Sequence, residues 1–177
     1  MSIRINCDQL LGAIAKLKAG FFAPLDHITQ DQLNHIFAQH KMTIGQIAVH
    51  GGAWAEYHVA PTKSKPWVPV EWTCVECEYP LTVKFVNDIV HAGFEALEIR
   101  LNSIDDSLLE VQEDGSKGPG YVIYRLLLHF LAHGNQMSYL RSMIDTNWKF
   151  GGHFGDMATA LIGIKYATDR DLTITGF

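Results

Sequence analysis

The sequence is poor in several features that define large classes of protein. Its 3 cysteines in 177 residues are too few for the disulfide framework of a small secreted domain. No run approaches the roughly 18 apolar residues that a membrane-spanning helix needs, and residues 1–20 lack the continuous apolar segment of a signal peptide. We therefore expect a cytoplasmic protein without a membrane partner.

Basic charge is also scarce. The chain has 14 lysines and arginines against 19 aspartates and glutamates, which gives a formal net charge of −5. Nucleic-acid binding usually needs a basic patch that neutralises phosphates. Nucleic acid is therefore not an expected partner.

Two common metal motifs are missing as well. The sequence contains no ExxH, which excludes the usual di-iron carboxylate bundle, and no HExxH, which excludes the common zinc proteases. Cys74 and Cys77 form a CxxC pair, but no second pair exists, and the segment is rich in tryptophan and proline. A redox pair or half a zinc site is one interpretation, and incidental free thiols are the one that we favour.

The chain does contain apolar residues in number, 47% of the total, which is enough for one sizeable core. Their spacing of three and four residues is typical of amphipathic helices. Thr29 and Gln32 have capping-box spacing at a short helical turn, and Thr43 and Gln46 repeat it at the start of a long helix. The predicted long helices cover about residues 7–22, 43–60, 83–104 and 121–144.

The connection between the second and third long helices, roughly residues 60–80, predicts their relative direction. About 20 residues, at about 3.3 Å each when extended, can traverse a helix of about 24 Å, so the third helix can run parallel to the second. The predicted fold is therefore an all-α four-helix bundle with a long crossover. Residues 1–146 would form the bundle, and residues 147–177 would form a C-terminal extension packed on the bundle or on a second subunit.

A pair of histidines, His129 and His133, carries the most chemical information. They stand four residues apart in LLLHFLAHGNQMSYLR, so they share a helix face with core-seeking residues such as Phe130 and Met137. Buried neutral imidazoles need partners for their ring nitrogens, and one cation between them would satisfy both. Core histidines that bond to backbone carbonyls or hydroxyls are the alternative.

A third histidine lies in the apolar stripe of the second long helix. In QIAVHGGAWAEYHV, the residues Ile47, His50, Trp54 and Tyr57 recur at spacings of three and four. Two helices packed with axes about 8–10 Å apart can bring His50 to the pair on the fourth helix. Three neutral nitrogen ligands with an open position are typical of catalytic metal sites. The alternative is that His50 is an ordinary core residue.

These segments together resemble the DinB-like superfamily. His50 on the second helix is followed, after a crossover and a third helix, by His129-x3-His133, then Gln136 and a Tyr-Leu-Arg ending, similar to the HxxxHxGQ motif of that family. The resemblance covers roughly residues 5–146. It implies a bundle of up-down-down-up topology, often a homodimer, in which His50, His129 and His133 hold one divalent metal.

One departure from the family pattern concerns the residues after the second histidine of the pair. The family usually has His-Arg-Gly-Gln, whereas this chain has His133-Gly134-Asn135-Gln136, so an arginine beside the site is missing. Gln136 and Arg141 are retained, which supports the alignment. The missing arginine weakens any inference about the charge of the substrate.

The resemblance implies a metal-dependent enzyme, since characterised relatives include thiol-dependent transferases and isomerases. We expect a divalent ion, zinc or nickel before iron, to activate a water or a low-molecular-weight thiol toward a small-molecule substrate, as in a transferase or hydrolase. Gln136, Trp54 and Tyr57 are candidate pocket residues, with core packing as the alternative for the two aromatics. The sequence identifies no catalytic residue. The competing hypothesis is a non-catalytic bundle that works by dimerisation or partner binding.

Overall fold

All regular secondary structure in the described part of the chain is helical. The structure is a computed structural model that describes residues 6–39, 41–59, 80–109 and 118–149. Its helices are α1 (Cys7–Phe22), the single turn α2 (Gln30–Leu33), α3 (Ile44–Val59), α4 (Val83–Asn102) and α5 (Pro119–Ile144), with 3-10 turns at Ala23–Leu25 and Asp106–Leu109. The prediction of an all-α bundle is confirmed. None of the described helices is long and apolar enough to cross a membrane.

Side-chain caps start the helices where the sequence predicted them. The capping box of Thr29 and Gln32 forms at the start of α2. At the start of α3, Gln46 Oε1 accepts a hydrogen bond from the Thr43 N–H at 2.7 Å, and Thr43 Oγ1 accepts one from the Gln46 N–H at 3.2 Å. Helix α5 begins at Pro119, two residues before the predicted start, because proline fits the first turn of a helix, where its missing N–H has no partner to lose.

Contacts between α1 and its neighbours fix two helix directions. Lys18 pairs with Glu98 at 3.1 Å, while the Cys7 N–H donates to Asp106 Oδ1, beyond the end of α4, at 2.8 Å. Later residues of α1 therefore meet earlier residues of α4, and the two helices are antiparallel. Helices α1 and α5 are parallel instead. Phe21 near the end of α1 contacts Phe130, and the carbonyl of Pro24, which follows α1, accepts a hydrogen bond from Arg141, later on α5.

Helices α3 and α4 run parallel to each other. A Cβ added at Gly45 would meet Leu81, just before α4, whereas one added at Gly52 would meet the backbone of Ile89. The four long helices therefore have up-down-down-up directions, as the long crossover was predicted to allow. The crossover over residues 60–79, with Cys74 and Cys77, lies outside the described residues, as does the predicted C-terminal extension beyond residue 149.

Three phenylalanines fill the centre of the bundle. Phe94 and Phe130 stack with ring centroids 4.1 Å apart, and Phe21 meets Phe130 edge-on at 5.0 Å. All three side chains are fully buried. The predicted seam of α4 is buried along its middle, whereas Val83 at its first residue and Ile104 beyond its last are only partly buried, because helix ends project past the neighbouring helices.

Candidate metal centre

The aromatic centre of the bundle also positions the histidines. His50 and His133 are each followed by a glycine, and the ring of Phe21 packs against both glycines. A Cβ at position 51 would lie 2.8 Å from Phe21 Cζ, and one at position 134 would lie 3.4 Å from Phe21 Cδ2. The two glycines therefore let α3 and α5 close over Phe21, which brings their histidines toward each other. Gly51 and Gly134 therefore have a physical role in forming the cluster.

The three predicted histidines meet in one cluster. The ring centroids of His129 and His133 lie 4.4 Å apart, and each lies 4.8 Å from the centroid of His50. One ring nitrogen from each residue lies within 4.8 Å of those of the other two. The convergence of His50 with the pair on α5, predicted by packing α3 against α5, is confirmed.

All three rings are half-buried rather than fully enclosed. The pattern of α5 predicted inward-facing imidazoles, but the phenylalanines already occupy the centre of the bundle. The histidines consequently lie at the edge of the core, between α3 and α5. A cluster at this position can bind an ion and also leave one side of it accessible to a small molecule.

The donor set suits a divalent metal ion. His129 Nε2 is buried and has no hydrogen-bond partner among the residues that the structure describes, although a buried nitrogen normally has one. Bonds of about 2.1 Å to a tetrahedral ion place ligand nitrogens about 3.4 Å apart, so small side-chain rotations would close the three rings around it. The residues therefore fit a bound ion, which would satisfy the nitrogen that has no partner.

Burial favours the neutral form of the His129 and His133 rings. The pKa of His129 is lowered from 6.5 to about 3, mostly by burial and also by the neighbouring His133 and His50. Arg125 and His58 act in the same direction. Burial also lowers the pKa of His133. Neutral imidazole is the form that binds metals, so these shifts prepare the cluster for an ion at neutral pH.

Gln136 lies one turn beyond His133 and contacts its ring. The Nδ1–H of His133 donates to Gln136 Oε1 at 3.1 Å. This bond places the ring proton on Nδ1 and leaves the lone pair of Nε2 available to a metal. Gln136 was predicted as a pocket residue, and the structure places its side-chain amide on the imidazole of His133.

The other two candidate pocket residues differ in position. The indole of Trp54 stacks on His129, with centroids 5.3 Å apart and an angle of 24°, and also contacts His50 at 5.6 Å. Trp54 therefore forms a wall of the cluster. Tyr57 is half-buried farther along α3, where its ring meets that of His58 at 5.2 Å.

Two residues near the cluster were not singled out from the sequence. Arg125 precedes His129 by four residues on α5, and His58 follows Trp54 by four residues on α3, with rings 4.7 Å apart. The same four-residue step that revealed the histidine pair extends to both of them. This spacing could have identified both residues from the sequence. However, a charged or polar residue at an exposed helix position is usually taken to face solvent.

The cluster thus offers three neutral nitrogen ligands, with no carboxylate or thiolate in the group among the described residues. Such a set can hold a divalent ion and leave a coordination position open. Comparison of the chain with protein-family models, curated proteins and solved structures finds no match.

Proposed function

We propose that this chain is a metal-dependent enzyme of the DinB-like type. His50, His129 and His133 would hold one divalent ion, and the reaction would be a transfer or hydrolysis in which a water or a thiol attacks a small-molecule substrate. The observation that carries this proposal is the meeting of three imidazole nitrogens, all within 4.8 Å, from two antiparallel helices. Structural histidines in a core seldom converge in this way without a shared partner.

The composition of the ligand set supports a chemical rather than a purely structural role. Three neutral ligands leave both positive charges of the ion uncompensated, whereas a closed structural site commonly has four ligands that include thiolates. An ion held by three imidazoles acts as a Lewis acid that lowers the pKa of a water or thiol binding at its open position. Imidazole suits zinc and nickel, which we place before iron.

The residues around the ligands have separate tasks in this proposal. Gln136 holds His133 in the tautomer that presents Nε2. The indole of Trp54 covers one face of His129 and excludes water from it. Phe21 packs against the backbone of Gly51 and Gly134, the residues that follow His50 and His133. These contacts orient the ligands before an ion binds, so that only small rotations remain, and this lowers the entropic cost of assembling the site.

The metal site is tested by elemental analysis of untagged protein. We expect about one divalent ion per chain in the parent and loss of most of it in His50→Ala, His129→Ala and His133→Ala, because each change removes one of three ligands. His91→Ala is the matched control, since His91 is exposed on α4, away from the cluster, and its ring contacts Phe22. Equal metal content in the parent and the three variants would exclude the site.

The catalytic part of the proposal needs its own measurement. Metal-loaded parent protein should turn over at least one member of a panel of thiols, esters and amides, and metal-free protein should not. Metal binding without any reaction would favour the non-catalytic bundle. The homodimer implied by the resemblance is tested by light scattering of the full chain.

A further inference from the structure

A row of polar and aromatic side chains extends from the histidine cluster along the groove between α3 and α5. On α5, four-residue steps lead from His133 through His129 and Arg125 to Tyr121. On the antiparallel α3, Trp54 contacts both His129 and His58. The row runs toward the start of α5 and the end of α3, and Arg125 stands in it one helical turn from His129.

In the described part of the chain, Arg125 lacks the carboxylate partner that several other basic side chains of the bundle have. Lys18, Lys84 and Arg141 each have a carboxylate oxygen within 3.1 Å. Arg125 is exposed, and its guanidinium lies 5.9 Å from the centroid of the Tyr121 ring. Among the described residues, no carboxylate lies within ion-pair distance of it. Tyr121 thus orients a positive charge that no acidic residue of the described helices neutralises.

The position of this charge is unfavourable for metal binding alone. A guanidinium carried one helical turn from His129 would repel a divalent ion held by that ring. An anion that contacts both the ion and the guanidinium removes the repulsion and is held by two positive charges.

We propose that the site takes a substrate that carries a carboxylate, and that Arg125 binds this group while another atom of the substrate occupies the open position at the three histidines. The inference rests on the proposed function, because it assumes a bound ion. Arginine suits the task, since its planar fork can donate two parallel hydrogen bonds to one carboxylate. Arg125 is a substrate-binding residue in this proposal, with no part in proton transfer.

The experiment uses the full chain loaded with cobalt(II), whose visible spectrum reports a thiolate ligand. Two matched probe series are titrated: ω-mercapto carboxylic acids from mercaptoacetate to 6-mercaptohexanoate, and the corresponding ω-mercapto alcohols. The series covers a range of distances between sulfur and carboxylate. We expect the best acid to bind the parent about tenfold more tightly than its alcohol.

The variants separate recognition by Arg125 from general charge effects. Arg125→Gln should lose the preference for the acid, leave the affinity for the alcohol unchanged and keep its full cobalt content. Arg125→Lys should keep part of the preference. Lys16→Gln, which removes one positive charge from the exposed face of α1, should behave as the parent.

The outcomes distinguish this inference from the function on which it rests. Equal binding of acid and alcohol by the parent, or an unchanged preference in Arg125→Gln, would overturn the role of Arg125 and leave the metal site standing. Failure of the parent to take up cobalt, or of every thiol to change the spectrum of bound cobalt, would overturn both.

Discussion

Gln136 Oε1 accepts a hydrogen bond from Nδ1–H of His133, 3.1 Å away and three residues earlier on α5. The bond links an exposed amide to a half-buried imidazole of the three-histidine cluster. It favours one tautomer of His133 and orients the ring, both of which strengthen a metal ligand. The contact therefore predicts an effect on metal affinity from a residue that would not itself touch the ion.

Replacing Gln136 by leucine should weaken metal binding while leaving the fold intact. We expect the Kd for zinc, measured by competition with a chromophoric chelator, to rise about tenfold, since loss of such a supporting hydrogen bond commonly has this effect. Asn135→Leu is the control, because Asn135 is exposed on the same turn of α5. Equal affinities of the two variants would mean that the hydrogen bond does not support the ligand.

The helices and their directions were largely predictable from the sequence. Thr43 and Gln46 mark the start of α3 through local chemistry, and the buried stripe of α4 follows directly from its three- and four-residue spacing. The length of the crossover allowed α3 and α4 to be parallel, and contacts such as Gly52 against Ile89 confirm it. Local patterns suffice here because each long helix buries one continuous face.

The surroundings of the site were less predictable. The apolar pattern of α5 shows that His129 faces inward, but the depth of the ring depends on Phe94 and Phe130, which fill the centre from two different helices. Whether Arg125 has a carboxylate partner is likewise a property of the packed helices. Such features depend on neighbours distant in sequence, which periodicity does not reveal.

Two glycines in helices should respond in opposite ways to alanine. A Cβ at Gly12, in the exposed middle of α1, would meet no atom within 4 Å, so Gly12→Ala should stabilise the fold by about 0.5–1 kcal/mol through helix propensity. A Cβ at Gly93 would lie 2.4 Å from Gly52 O, so Gly93→Ala should cost about 2 kcal/mol or more by separating α3 from α4. Urea unfolding measures both, and a Gly93→Ala protein as stable as the parent would refute the close helix contact.

Two ion pairs of the same i, i+4 spacing should differ in their contribution to stability. Arg141 is 3% exposed, pairs with Asp145 at 2.9 Å and also donates to the Pro24 carbonyl at 3.2 Å. Lys84 pairs with Asp88 at 2.6 Å, but both side chains are mostly exposed.

Arg141→Met should therefore lower the free energy of unfolding by about 2 kcal/mol, because it leaves a buried carbonyl without its donor. Lys84→Met should change it by less than about 0.5 kcal/mol, since water screens an exposed pair. Thermal and urea unfolding compare the two variants directly. Similar losses in both would show that burial does not set the strength of these pairs.

The lowered pKa of His129 predicts that metal-free protein loses stability in mild acid. Its pKa is about 3 in the folded chain and 6.5 without the effects of folding, so between these values the unfolded chain binds a proton that the folded chain does not. Stability must then fall as the pH drops below about 6.5, by about 1.4 kcal/mol per pH unit for one proton. The lowered pKa of His133 adds to the loss in the same direction.

Urea unfolding with a chelator present, at intervals from pH 7.5 to 4.5, measures this slope. Arg141 lowers the pKa of Asp145, whose contribution is lost only below its ordinary value of 3.8, outside this window. His129→Gln should flatten the profile, since the unfolded variant has one fewer proton to bind, whereas the exposed His91→Ala should follow the parent. If His129→Gln lost stability as steeply as the parent, the ring of His129 would not be held neutral by its position between α3 and α5.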